Sequence, residues 1–171
     1  MAKREKKPVT DFHKLLARGT TALHQGKIDE ARLLLEQAHQ LNPTDGNATL
    51  NLAGVYILAK RFKPAVKLLE PLTKIEPDNP MVWTNLGAAY LGNPVLASRE
   101  NQQKAITAFE KALEIDPKVP NVAYNLGLIY RDRKAYGQAI TWFKRALKTN
   151  PNDKDARHYI ELLSKDSNGH S

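Results

Sequence analysis

Cysteine is absent from the chain. Disulfides and thiolate catalysis are therefore excluded, and a zinc site would need histidines and carboxylates alone. The five histidines do not supply one. His13 and His24 are about 16 Å apart by helical rise, and no pair has the spacing that puts two ligands on one helical face. No apolar run approaches the roughly 20 residues of a membrane-spanning helix. The opening Met-Ala-Lys-Arg-Glu-Lys-Lys-Pro lacks the apolar stretch of a secretory signal, so the cytoplasm is the expected compartment. Phosphate-binding loops, nucleophile elbows, His-Glu zinc motifs and two-glycine dinucleotide turns are missing as well. The expectation is a non-catalytic protein with no metal and no cofactor.

Charge is in excess of one sign: Lys and Arg number 26 against 18 Asp and Glu, giving a net +8, of which residues 3–7 hold +3. Such an excess suits an acidic protein, nucleic acid or an anionic membrane. No stacked aromatic platform or arginine-rich recognition helix accompanies it, which argues against nucleic acid and membrane. A solubilising charge and a disordered tail explain it equally well.

What is present is a period. Pro43, Pro77, Pro117 and Pro151 are spaced by 34, 40 and 34 residues, the self-similarity of a stacked repeat architecture. Alignment on the prolines superposes Ala31, Ala65, Ala105 and Ala139, then Leu35, Leu69, Phe109 and Phe143, then Ala38, Leu72, Ala112 and Ala146. Upstream, Gly19, Ala53, Gly87 and Gly127 superpose once six extra residues in the third copy are allowed for, and so do Tyr56, Tyr90 and Tyr130. Trp83, Leu86, Gly87 and Tyr90 follow i, i+3, i+4, i+7, the stripe of a helix packed on one side. Ala105, Phe109 and Ala112 make a second stripe. Small residues at Gly87 and Ala105 suit a close approach of two helices, with Phe109 and Tyr90 filling the space beside it. Each copy is therefore a helix, a turn and a helix.

These residues resemble the tetratricopeptide repeat, a helical hairpin of 34 residues. The resemblance covers residues 12–153 and implies an all-α, right-handed superhelix of four hairpins plus a carboxy-terminal capping helix. Its expected parts are a basic disordered tail (1–11), a divergent first repeat (12–45), a second (46–79), a third carrying the insertion (80–119), a fourth (120–153), a capping helix (154–164) and a disordered end (165–171). Copy one has Arg18 and Ala22 where the others have Leu and Tyr, so its first helix is expected to be exposed or atypically packed. In the third copy, Gly92 can end one helix, Asn93 cap the next and Pro94 open it. That second helix would then run from Pro94 to Ile115, nearly two turns beyond its neighbours. The alternative is a longer surface loop.

Stacked hairpins build a concave wall from the first helix of every copy. The expected wall residues are Asn47, Leu50 and Asn51; Met81, Thr84 and Asn85; Asn121, Tyr124, Asn125 and Leu128; and His158 from the cap. Asn51, Asn85 and Asn125 share one register. Because a carboxamide both donates and accepts, a row of them can pair with an extended peptide backbone; it can equally bond to the neighbouring repeat. The apolar members offer shallow pockets. Some relatives grip chaperone carboxy-terminal tails with a basic clamp. Leu16, Asn121 and Asn125 stand at its basic positions here, which disfavours such tails.

Basic residues cluster instead at the turns: Lys60, Arg61 and Lys63 in copy two, Arg131, Arg133 and Lys134 in copy four, with Arg99 and Lys104 in the insertion. They suggest a ridge that steers an acidic partner, or a solvated rim. Asp132, Asp155 and His158 form a weaker candidate cluster for catalysis or ion binding. The leading expectation is a scaffold or adaptor that takes a protein or peptide segment in its groove. The alternatives are a homo-oligomer stacking through an apolar first-repeat end, and an anionic partner on the tail and ridge.

Overall fold

A computed structural model describes residues 9–168. Nine α-helices and one turn of 3-10 helix make up the regular structure there, and no strand occurs among the described residues. The chain divides after Pro77 into two compact units, where its length had suggested one domain. Repeats touch only their neighbours, so nothing obliges a stack to close around a single core. The amino-terminal unit holds α1 (Val9–His24), α2 (Ile28–Leu41), α3 (Gly46–Leu58) and α4 (Phe62–Ile75). The carboxy-terminal unit holds α5 (Pro80–Leu91), α6 (Arg99–Ile115), α7 (Val122–Asp132), α8 (Tyr136–Thr149) and α9 (Lys154–Asn168).

The periodic prolines end the helices. Asn42, Glu76, Asp116 and Asn150 cap α2, α4, α6 and α8, each donating its N–H to the carbonyl four residues back. Each stands directly before one of the four prolines. The proline ring disfavours helical backbone in the residue before it, so the helix stops there. The turns inside the hairpins repeat as faithfully. Gly26, Lys60 and Lys134 all have φ between 57° and 71°. Lys27, Arg61 and Ala135, one residue later, donate to Ala22, Tyr56 and Tyr130 at 2.7 to 2.9 Å. These are Schellman turns, in which a left-handed residue lets the chain satisfy the last carbonyls of the helix.

The third copy breaks this pattern, and here one reading of the sequence is corrected. Pro94–Leu96 forms a single 3-10 turn capped by Asn93, and α6 begins only at Arg99, with Ser98 Oγ accepting from Asn101 N–H. The helix therefore gains 3 residues over the 14 of α2, α4 and α8, less than one turn. Ala97, extended at ψ 127°, separates two competing caps, and the serine wins the longer helix. Other boundaries move too. Residues 9–11 belong to α1 and residues 165–168 to α9, whereas residues 1–8 and 169–171 of the two expected tails lie outside the described residues.

Helix crossings depend on missing side chains. A Cβ on Gly87 would lie 2.5 Å from the Phe109 ring, one on Gly127 2.6 Å from Phe143, and one on Gly19 2.7 Å from Leu35 Cγ. The last contact shows that α1 packs on α2 in the ordinary way, with Phe12 and Ala22 buried, despite the divergence of the first copy. The core of the amino-terminal unit gathers Leu35, Leu52 and Val55. The carboxy-terminal unit has one cluster around Phe109, Val122, Leu126 and Ile129 and another around Phe143, Ala146 and Ala156. No described helix is long and apolar enough to cross a membrane.

Candidate functional site

In the carboxy-terminal unit the wall is set by α5, α7 and α9. Asn85 is half-buried on α5, one turn beyond the exposed Met81, and Asn125 is half-buried on α7. Neither carboxamide has a hydrogen-bond partner among the described residues. Tyr124, Leu128 and Arg131 follow on α7 at i, i+4, i+7 and so share a face. Tyr124 packs edge-on against Phe143 at 5.6 Å and lies 6.5 Å from Tyr159 of α9, which stacks on Phe143 at 5.0 Å. Leu128 joins the same cluster. Arg131 Cζ lies 4.8 Å over the Tyr159 ring, and its Nε and Nη2 both donate to Asp132 Oδ1, at 2.9 and 2.7 Å. Asp132 Oδ2 is buried without a hydrogen-bond partner among the described residues.

Electrostatics follow from this packing. Burial raises the Tyr124 pKa, and Tyr159, Asp155 and Asp153 raise it further. Burial works against the charge of Arg131, but Asp132 and Tyr159 outweigh it and hold that pKa above its usual value. Arg131 is thus drawn off the expected basic ridge and onto the aromatic wall. Its i+7 spacing from Tyr124 was readable in the sequence. The role of Tyr159 was hidden, because the same residue also serves the core stripe of α9.

The remaining wall residues divide. Asn51 Nδ2 donates to Thr20 Oγ1 at 2.9 Å, so this member of the ladder is engaged by the neighbouring repeat of its own unit. Asn47 is exposed in the first turn of α3 and Leu50 half-buried beyond it. Thr84 is corrected: it is buried and its hydroxyl donates to Pro80 O at 2.8 Å, because at this position α5 faces its own core. Asn121 lies just before α7 rather than on it, exposed and left-handed at φ 65°. His158 is exposed, its ring 5.9 Å from that of Tyr159.

Several basic residues are already occupied. Arg61 lies over Tyr56 at 4.9 Å and 3.8 Å from Glu36. Lys104 pairs with Glu100 at 2.8 Å, and Arg133 Nε donates to the buried Gln102 at 3.0 Å. Lys60, Lys63, Arg99 and Lys134 are exposed without an ion pair among the described residues. Asp132, Asp155 and His158 are not joined by hydrogen bonds, and no described group of His, Cys, Asp and Glu is arranged to hold a metal. The cleft between α1 and α2 carries Leu15 and Leu41 among Asp11, Lys14, Arg18, Gln37 and Gln40.

Tetratricopeptide repeat family models match residues 22–89, 95–130 and 120–153. The chain is 30% identical over 116 residues to the general transcriptional corepressor trfA of Dictyostelium discoideum, covering 67% of this chain and 8% of that protein. It is 24% identical over 123 residues to the peroxisomal targeting signal receptor of Candida glabrata, covering 67% of this chain and 20% of the receptor. It therefore spans no more than a fifth of either relative. Among solved structures, a thermophilic TPR protein of Thermus thermophilus superposes with a TM-score of 0.76 at 22% identity, over 91% of this chain and 82% of that one, a likeness of fold.

Proposed function

Because the chain belongs to the tetratricopeptide repeat family, we propose that this protein-interaction module works as an adaptor holding an extended peptide segment of a partner protein. The contact surface is the wall of α5, α7 and α9. The observation that carries this reading is the pair of unpartnered carboxamides, Asn85 and Asn125, in one register of consecutive repeats. Each offers a donor and an acceptor, the complement of a peptide N–H and C=O. Met81, Tyr124 and Leu128 lie beside them and provide apolar contact for side chains. The peroxisomal relative is, by its name, a receptor for a targeting signal, which is consistent with recognition of a peptide segment.

The test is a fluorescence polarisation titration with peptides selected on the wild-type protein from an immobilised array. Asn85→Ala with Asn125→Ala should weaken binding by about tenfold or more, two hydrogen-bonding groups at roughly 1 kcal/mol each. Asn51→Ala should leave it nearly unchanged, since that amide is bound to Thr20. Equal binding by wild type and the double variant would sink the reading. Circular dichroism on each variant separates lost contact from lost fold.

A further inference from the structure

Pro71 lies inside α4, where it withholds the N–H that the carbonyl of Lys67 would otherwise accept. Beside this interruption, the amino-terminal unit holds a cavity of about 220 Å³ lined by His39, Thr49, Lys67, Leu68, Pro71 and Leu72 among others. It is formed by α2, α3 and α4 and takes no residue from the asparagine row. Drug-sized ligands occupy pockets from about 300 Å³ upward, so this one matches a single side chain or a small ring.

The hydrogen bonds around His39 define its chemistry. Thr49 Oγ1 is 2.8 Å from the carbonyl of Asp45 and 3.2 Å from His39 Nδ1. A carbonyl can only accept, so the threonine hydroxyl gives its one hydrogen to Asp45. It then has only lone pairs for His39, and Nδ1 must be the donor. In the neutral imidazole this leaves the lone pair on Nε2, which has no partner among the described residues. Burial lowers the pKa of His39, favouring that neutral form. Lys67 lines the same cavity without an ion pair among the described residues, while the Thr44 hydroxyl is spent on Asn42 at 2.9 Å.

An occupant that serves both lining groups would donate to a nitrogen lone pair, accept from an ammonium and present an apolar body to Leu68, Pro71 and Leu72. A carboxylate would set its acceptors against the lone pair of Nε2. An ammonium would meet Lys67, and a hydrocarbon would leave the Nε2 lone pair of His39 without a partner. A phenol satisfies all three demands, because its hydroxyl donates once and accepts as well. We propose that this cavity is a binding site for a phenolic ring, with the hydroxyl between His39 Nε2 and Lys67 Nζ.

The experiment is a titration of p-cresol into the full isotope-labelled chain, followed by the NMR shifts of the His39 ring and the Leu68 and Leu72 methyls. Saturable shifts of these groups are expected, with 4-methylanisole binding about tenfold more weakly because it cannot donate. Thr49→Val frees the imidazole and Lys67→Met removes the ammonium, and each should weaken p-cresol severalfold. Lys67 is exposed, so its variant folds even if Thr49→Val does not. Absence of shifts at these groups, equal binding of the anisole, or indifference to Lys67→Met would each overturn the proposal. A capped Gly-Tyr-Gly peptide separates the sources: binding assigns the site to a tyrosine side chain, and exclusion while p-cresol binds assigns it to a free phenol.

Discussion

At the hairpin crossings of the amino-terminal unit, Gly19 faces Leu35, and Ala53 and Leu69 stand at the corresponding positions of the second hairpin. At the crossings of the carboxy-terminal unit, Gly87 faces Phe109 and Gly127 faces Phe143. One backbone plan is filled by aliphatic groups in the first case and by rings in the second. The rings do more than fill. Phe143 reaches through its own hairpin to touch Tyr124 and Tyr159, so a core residue becomes the floor of the exposed wall. In the amino-terminal unit the repeat tyrosine Tyr56 instead donates its hydroxyl to Glu36 at 2.9 Å, and Asn51 is spent on Thr20. Repeat equivalence thus holds for backbone and core, while the second partner of each side chain decides whether a position stays available.

The strongest way to break this comparison is Phe143→Ala. The ring is fully buried, and its loss should cost about 3–5 kcal/mol in denaturant unfolding while releasing Tyr124 and Tyr159, visible as altered tyrosine fluorescence. Combining Phe143→Leu with Gly127→Ala rebuilds the aliphatic pattern and should recover part of that loss. A full loss would mean that the two crossings differ in backbone as well as in side chains.

Next in size is Gly87→Ala. The new methyl would meet a buried ring, so overpacking of about 1–3 kcal/mol outweighs a helix-propensity gain of at most about 1 kcal/mol. Gly137 has nothing within 4 Å of its missing Cβ, and Gly137→Ala should stabilise by up to about 1 kcal/mol. Melting temperatures moving in the same direction for both would contradict the close-approach argument.

Lys60→Gly and Lys134→Gly should each stabilise by roughly 1 kcal/mol, because a side chain in the left-handed region is strained and the Schellman turn is best made by glycine. Gly26 already occupies this position in the first hairpin, so Gly26→Lys should cost a similar amount. Calorimetry reads all three.

The smallest effect concerns acid. His39 has a folded pKa below its unfolded 6.5, so the unfolded chain binds the extra proton first. Its contribution is unchanged above pH 6.5 and is lost as pH falls from there through the folded pKa. A pH series of urea midpoints should show this decline reduced in His39→Gln.

How much of this was legible depends on the reach of each signal. Proline after a helix stop and an asparagine or serine cap act within a few residues, and the period of the prolines repeats the helix stop four times. Hairpins, core stripes and most helix ends could therefore be read directly. Two caps, at Asn93 and Ser98, already exceeded that local grammar, since both are competent and both are used, the first for a single 3-10 turn and the second for the long helix.

The site was less legible. Asn51, Asn85 and Asn125 are indistinguishable by position and residue type, yet Thr20, 31 residues before Asn51, occupies one of them. Arg131 was indistinguishable from Arg133 as a turn cation until Tyr159 and Gln102, far away in sequence, claimed one each. The tautomer of His39 depends on a hydroxyl ten residues away on the next helix and on the carbonyl that this hydroxyl serves. By itself the sequence determined the repeat, the helices and the residues that hold them together, because those forces are local and periodic. Tertiary structure alone decided which polar groups remain free, because a hydrogen bond belongs to whichever partner the packed backbone brings within about 3 Å.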